Sequence, residues 1–146
     1  MDQRVSQLSQ QDKDHLDAQR AIVSKYVADS SLERFETAAG KLGTLRALLD
    51  ANTFSKEQTY ELQSMGVVLG DALCIQLGME WAVVEDDYGR DPAVRYRGTS
   101  VIVFPQTMIS KRIEDDVDVD IFDLFNWTVD KVNELIEEEV ARTATH

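Results

Sequence analysis

The chain predicts an α+β domain: about five helices packed on a three-stranded antiparallel sheet, in the order ααα-βββ-αα. Three observations carry this. Apolar residues recur with a 3.6-residue period up to Leu77. After Gly78 the pattern changes to β-branched and aromatic runs, "EWAVVE" and "TSVIVFP", with "AVRYR" alternating between them. From Phe122 onward the helical period returns. A 3.6-residue period marks a helix with one buried face, whereas alternation or a short apolar run marks a strand. The 146 residues fit one domain, 1–146, with N-terminal helices in 1–54 and a helix, the sheet and the C-terminal helices in 55–146. A chain of this size buries about 68–70% of its unfolded surface without metal or disulfide staples.

The first helix is expected from about Gln10 to Ala28, with Leu16, Val23, Tyr26 and Val27 on its buried side. Ser30 and Glu33 have the spacing of a capping box and mark a second helix start. From there Phe35, Ala38, Ala39, Leu42, Leu45 and Leu49 keep the helical period. Gly40 and Gly43 each cost that helix up to about 1 kcal/mol and allow a break. Ser55 and Gln58 repeat the capping-box spacing before a third helix that reaches Leu77 and stops at Gly78. Its second half, "MGVVLGDALCIQLG", is apolar nearly all round, as in a buried helix. Gly66 and Gly70, one turn apart, let another backbone approach closely.

Asp86-Asp87-Tyr88-Gly89 supplies turn residues between the first two strands, and Gly98 the turn before the third. Both outer runs are apolar on successive residues, as in strands covered on both faces. The middle strand sets Arg95 and Arg97 opposite Val94 and Tyr96, leaving open whether the arginines face water or a pocket. Pro105 suits the first turn of a short helix over "QTMISKRIED". The last helix is expected from Ile121 to Arg142, with Phe122, Phe125, Val129, Val132, Ile136 and Val140 at helical spacing.

Charge and cysteine content narrow the function. The net charge is −12, and the last 34 residues hold two basic and eleven acidic groups, a net of −9. Nucleic-acid binding requires Lys and Arg to neutralise phosphates, so this field disfavours it. A basic protein partner suits it better; the alternative is solubility alone. Cys74 is the single cysteine, which precludes an intramolecular disulfide and fits a reducing, cytoplasmic compartment. With His15 and His146 the only histidines, a four-ligand zinc site has too few soft ligands. No cofactor motif is present. The N-terminus has no apolar stretch of signal-peptide type. The longest uncharged run, Gly98 to Ser110, is far short of the ~20 residues a membrane helix needs.

The segments "LGDALCIQLGMEWAVVEDDYG" and "VIVFPQTMISKRIE", followed by a closing acidic amphipathic helix, resemble the bacterial domain of unknown function 3806. The shared pattern is a glycine followed by an acid in a helix, a tryptophan opening a strand and an acidic-glycine turn. A strand ending at proline and a basic pair before an acid complete it. The likeness spans roughly residues 66 to 136. It implies a small bacterial domain and supplies no catalytic residues.

"EDDVDVDIFD", residues 114–123, carries six carboxylates. Asp116, Asp118 and Asp120 stand at the first, third and fifth positions of a calcium loop. Such a loop also needs Gly at the sixth position and Glu at the twelfth, where this chain has Ile121 and Trp127. Alternation explains the stretch better: Val117, Val119 and Ile121 turn inward, Asp120 or its neighbour caps the last helix, and Asp123 suits its dipole. Glu137, Glu138 and Glu139 crowd the other end of that helix, where the dipole disfavours them, and Arg142 offsets part of this. Charge placed against local preference is what an acidic docking face for a basic partner requires. Glu134, Glu137 and Glu138 are its candidates, in a module of inhibitor or immunity-like type.

Asp71 lies in the apolar part of the third helix, where an ionised carboxylate needs a partner. Lys111, Arg112 or the strand arginines are candidates. A small-molecule or anion pocket, or an enzyme site, built from Asp71, Trp81, Arg97 and Arg112 is the competing functional reading; a buried structural pair is the plain one. Cys74, in apolar company, reads as a small buried hydrophobe rather than a nucleophile. His15 reads as exposed. "NWT" at Asn126 matches a glycosylation acceptor but falls in a helix. No Gly-x-Ser-x-Gly elbow appears, so no catalytic residue is assigned.

Overall fold

A computed structural model describes residues 3–144; His146 lies outside them. The elements are β1 (Arg4–Ser6), α1 (Gln10–Ser24), α2 (Leu32–Phe35), α3 (Ala38–Asp50), α4 (Thr59–Leu77), β2 (Glu80–Asp86), β3 (Gly89–Arg95), β4 (Ile102–Val103), α5 (Met108–Glu114) and α6 (Ile121–Ala144). Short 3₁₀ turns occupy Asp29–Ser31 and Pro105–Thr107. The α+β class holds. The detail differs from the expected three strands and five helices: the described residues form four strands and six α-helices.

The added strand is β1. The sheet runs β1-β2-β3-β4, antiparallel throughout. Val5 stands opposite Val84, and Arg4 Nη2 donates to Glu85 Oε2 at 3.2 Å. Three residues in a polar stretch carry no readable alternation, so β1 had no local signature. It makes β2 an interior strand, consistent with the buried Ala82, Val83 and Val84. Strand β3 starts earlier than "AVRYR" and includes Pro92. Strand β4 reaches only Val94 and Arg95. Pro92 therefore lies on a stretch of β3 with one open side, where a strand tolerates proline.

Helix α1 opens on a capping box. Asp12 N–H donates to Ser9 Oγ at 3.1 Å, and Ser9 N–H to Asp12 Oδ2 at 2.7 Å. It stops at Ser24 rather than Ala28, because Tyr26 and Val27 N–H bond three residues back in tight turns. Tyr26, expected inside, is exposed. The long second helix is broken, and the break falls before Gly40. Ser30 and Glu33 form no capping box; instead Thr37 Oγ1 accepts the Gly40 N–H at 2.9 Å and starts α3. A Cβ at Gly40 would meet the Arg34 carbonyl oxygen at 1.9 Å, so glycine permits α2 to fold back on α3.

Helix α4 begins at Thr59; the Ser55 N–H donates to the Gln58 side chain at 2.8 Å, one half of the expected box. It ends as predicted at Gly78, which takes φ +68°, a left-handed cap. Leu62, Met65, Val67, Val68, Leu69, Ala72 and Leu73 are all buried. The helix touches α1, α3, α5, α6, β2 and β3, which is why it is apolar on nearly every side. No helix among the described residues is long and apolar enough to cross a membrane.

Candidate functional site

Gly66 and Gly70 form the close-approach stripe of α4. A Cβ at Gly66 would stand 2.2 Å from the Gln106 carbonyl oxygen and 2.6 Å from that of Pro105. One at Gly70 would stand 2.4 Å from Trp81 Cζ2 and 2.7 Å from Pro105 Cγ. The stripe thus seats the Pro105 turn and the Trp81 indole directly on the helix backbone. Asp71 follows Gly70 and projects beside the same indole. Trp81 Nε1 donates to Asp71 Oδ1 at 2.8 Å.

The cation beside Asp71 is Arg20 of α1. Its Nε donates to Oδ2 at 2.7 Å and its Nη2 to Oδ1 at 2.8 Å, a bidentate fork. Asp17 holds the same guanidinium through Nη1 at 2.8 Å. Asp71 and Asp17 raise the Arg20 pKa, the hydrogen bond to Asp71 contributing most. The expected arginine partners are engaged elsewhere, and Lys111 is exposed. Arg112 Nη1 donates to the Met108 carbonyl at 2.8 Å. Arg95 and Arg97 Nε both donate to Glu80 Oε1, at 2.9 and 3.2 Å. These two arginines therefore face a cross-strand carboxylate, and the hydrogen bond from Arg97 is the main cause holding Glu80 below its ordinary pKa. Of the four pocket candidates, Asp71 and Trp81 meet; Arg97 and Arg112 make other bonds.

Arg20 escaped the sequence reading, although a signal existed. It follows Leu16 by one helical turn, and Leu16 is buried; a basic residue on the apolar side of a helix asks for a buried acid. Cys74, one turn after Asp71, is partly buried. Burial first, and the Asp71 charge second, push its thiol up to about 12. At neutral pH it is a thiol and a poor nucleophile.

The acidic C-terminal region is of a different kind. Glu134, Glu137 and Glu138 are exposed on α6, and among the described residues only Glu134 of the three has an ion pair, at 3.9 Å from Lys131. Glu139 instead accepts the Ser100 N–H at 3.0 Å on both oxygens and ties α6 to the β3–β4 turn. Trp127 is 59% exposed. Helical spacing puts it in one stripe with Asp123, Asp130, Glu134 and Glu138. A hollow of about 360 Å³ beside it is lined by Arg112, Asp118, Asp120 and Asp123. Trp127 was missed because the sequence reading weighed it only as a failed calcium ligand; its place off the Phe125–Val129–Val132 stripe was the available sign.

In "EDDVDVDIFD" the expected alternation holds in part. Val119 is half-buried and Ile121 buried, but Val117 is 52% exposed. Asp116 adopts φ +58°, and Val117 N–H turns back to the Arg112 carbonyl at 2.8 Å. That turn breaks the register. Asp120 Oδ1 accepts the Asp123 N–H at 3.0 Å, the expected cap. No group of three or more His, Cys, Asp or Glu among the described residues is placed to hold a metal ion.

Residues 41–125, more than half of the chain, match the family described as Domain of unknown function (DUF3806). A crystal structure from Bacteroides thetaiotaomicron VPI-5482 shares the fold, with a TM-score of 0.70 at 13% identity over 90% of this chain. The chain spans 48% of that structure's length. No curated protein matches the sequence.

Proposed function

The chain belongs to the DUF3806 family, and we propose that it acts as a non-catalytic binding module for a basic protein partner, docking through the outer face of α6. The observation that carries this reading is Trp127, 59% exposed on a stripe otherwise made of carboxylates. Tryptophan and arginine are the residues most enriched at interface hot spots. An indole face flanked by Asp123, Asp130 and Glu134 offers a guanidinium both a cation–π contact and a carboxylate fork. The net charge of −12 would steer a basic partner toward the chain. An inhibitor or immunity-like protein that neutralises a basic effector is the finer form of the proposal. Its proposed setting is the bacterial cytoplasm, where a lone Cys74 stays reduced.

The alternative, a small-molecule or anion site around Asp71, Trp81 and Arg112, has less support. Asp71 already accepts three hydrogen bonds from Arg20 and Trp81, and Arg112 lines the hollow beside Trp127 instead.

The test is affinity capture from native lysate at low and moderate salt. It compares the wild type, Trp127→Ala and a Glu134→Gln/Glu137→Gln/Glu138→Gln triple variant. The expected result is one basic protein retained by the wild type, weakened by salt and lost by both variants. Salt should act because the screening length falls from about 30 Å at 0.01 M to about 8 Å at 0.15 M. Equal recovery on all three columns would sink the proposal.

A further inference from the structure

A cleft of about 380 Å³ opens between α1, the start of α4, strands β2 and β3 and the Pro105 turn. Three carboxamides converge on it from three separate elements: Gln19, Gln63 and Gln106. Gln19 is 5% exposed. Gln106 Nε2 donates to Gln19 Oε1 at 2.9 Å, which leaves the Gln19 amide nitrogen and the Gln106 carbonyl oxygen without a partner among the described residues. Among those residues, no fully buried side-chain nitrogen or oxygen lacks a hydrogen bond. The Gln19 nitrogen therefore retains access to the cleft. Gln63 makes no hydrogen bond among the described residues, and neither does the hydroxyl of Tyr60 at the rim.

The ionic groups nearby are committed to one another. Arg90 donates to the two Asp12 oxygens at 2.5 and 2.7 Å and through Nε to Glu85 Oε1 at 3.1 Å. An anion would find Arg90 engaged, and a cation would find Asp12 engaged. Besides the exposed His15 imidazole at the edge, the groups left for a ligand carry no charge, and each carboxamide offers both donors and an acceptor. Leu16, Val83 and Pro92 supply an apolar wall. The volume lies near the lower end of the range for small-molecule sites, about 300–1,000 Å³.

We propose that this cleft binds an uncharged molecule of one-ring size carrying both hydrogen-bond donors and acceptors, the chemistry shared by a free sugar and a nucleobase. The site does not rest on the α6 docking surface. Its carboxamides fix orientation, and a site built to hydrogen-bond its ligand disfavours analogues that cannot satisfy them.

The experiment is an NMR titration of the full chain, reading backbone amides of α1 and the start of α4. The probes are glucose, galactose and inositol in one arm and uracil and adenine in the other. Inorganic phosphate and spermidine serve as charged controls. The expected result is saturable shifts around the cleft with at least one neutral probe at millimolar concentration. Gln63→Ala and Tyr60→Ala should each weaken that binding about tenfold with unfolding midpoints unchanged, since a lost ligand hydrogen bond is worth about that factor. Which arm responds assigns the ligand class. No saturable shift with any neutral probe, tighter binding of the charged controls, or wild-type affinity in both variants would overturn the proposal.

Discussion

Asp71 and Glu138 are both carboxylates on long helices, and they stand in opposite physical situations. Asp71 is half-buried and accepts three hydrogen bonds, two from Arg20 and one from Trp81. Glu138 is exposed on a stripe with Trp127, and its neighbour Glu134 has a single long contact to Lys131. The first carboxylate is satisfied within the chain and serves to join α1, α4 and β2. The second makes no hydrogen bond or ion pair among the described residues. A charge that the fold has already matched is poor ground for a binding site, whereas unmatched charge beside an exposed aromatic is good ground. Net charge alone could not draw that distinction.

The comparison breaks if the knot around Asp71 tolerates change. The largest effect is expected from Gly66→Ala, whose Cβ would lie 2.2 Å from the Gln106 carbonyl oxygen. Neither backbone has room to give, so thermal or urea unfolding should show a loss of about 3 kcal/mol, the upper end of overpacking costs. Asp71→Asn comes next. It keeps the shape but leaves Arg20, whose side chain is 32% exposed, facing an uncharged amide. Partial exposure brings the usual penalty for breaking a buried pair down to about 2 kcal/mol, readable in the same unfolding experiment.

Cys74 sharpens the contrast through pH. Burial raises its folded pKa to about 12 from an ordinary value of 9.0. The native chain therefore keeps a proton that the unfolded chain releases, and this part of the stability is lost as pH climbs through that window. At pH 8 alkylation of the native protein should be slow and should become rapid in denaturant. The smallest effect belongs to the Glu134/Glu137/Glu138 triple variant. Its unfolding free energy should stay within about 0.5 kcal/mol of wild type, even where partner capture is abolished. A large change would mean that these glutamates belong to the fold.

The parts legible in sequence were those with local physics. The 3.6-residue period found α1, α4 and α6, and the glycine cap at Gly78 fixed the end of α4 to the residue. The change of period found β2 and placed the hairpin turn. What escaped was long-range. Strand β1 exists because residues about 80 positions away present an edge, and nothing in Arg4–Ser6 announces it. Arg20 meets Asp71 across 51 residues, so the acid was recognised as needing a partner while the partner was sought nearby. Gly66 and Gly70 were recognised as a close-approach device, but only the fold reveals that they seat the Trp81 indole and Pro105. The cleft with its three glutamines was invisible for the same reason: each glutamine is unremarkable on its own element.

The pairing of Val5 with Val84 also sets an order of events during synthesis. The ribosome makes β1 first and its partner about 80 residues later, a delay of roughly 4–16 s at about 5–20 residues per second. Until α3 and α4 are made, the nascent N-terminus has an α1 whose Leu16 and Val23 have no core to enter. The Arg20–Asp71 clasp cannot close until α4 has emerged, nor the Asp12–Arg90 clasp until β3 has. The brevity of β1 is then an advantage. Three residues ending in Arg4 and Ser6 offer a neighbouring chain too little edge to seize before the rightful strand arrives.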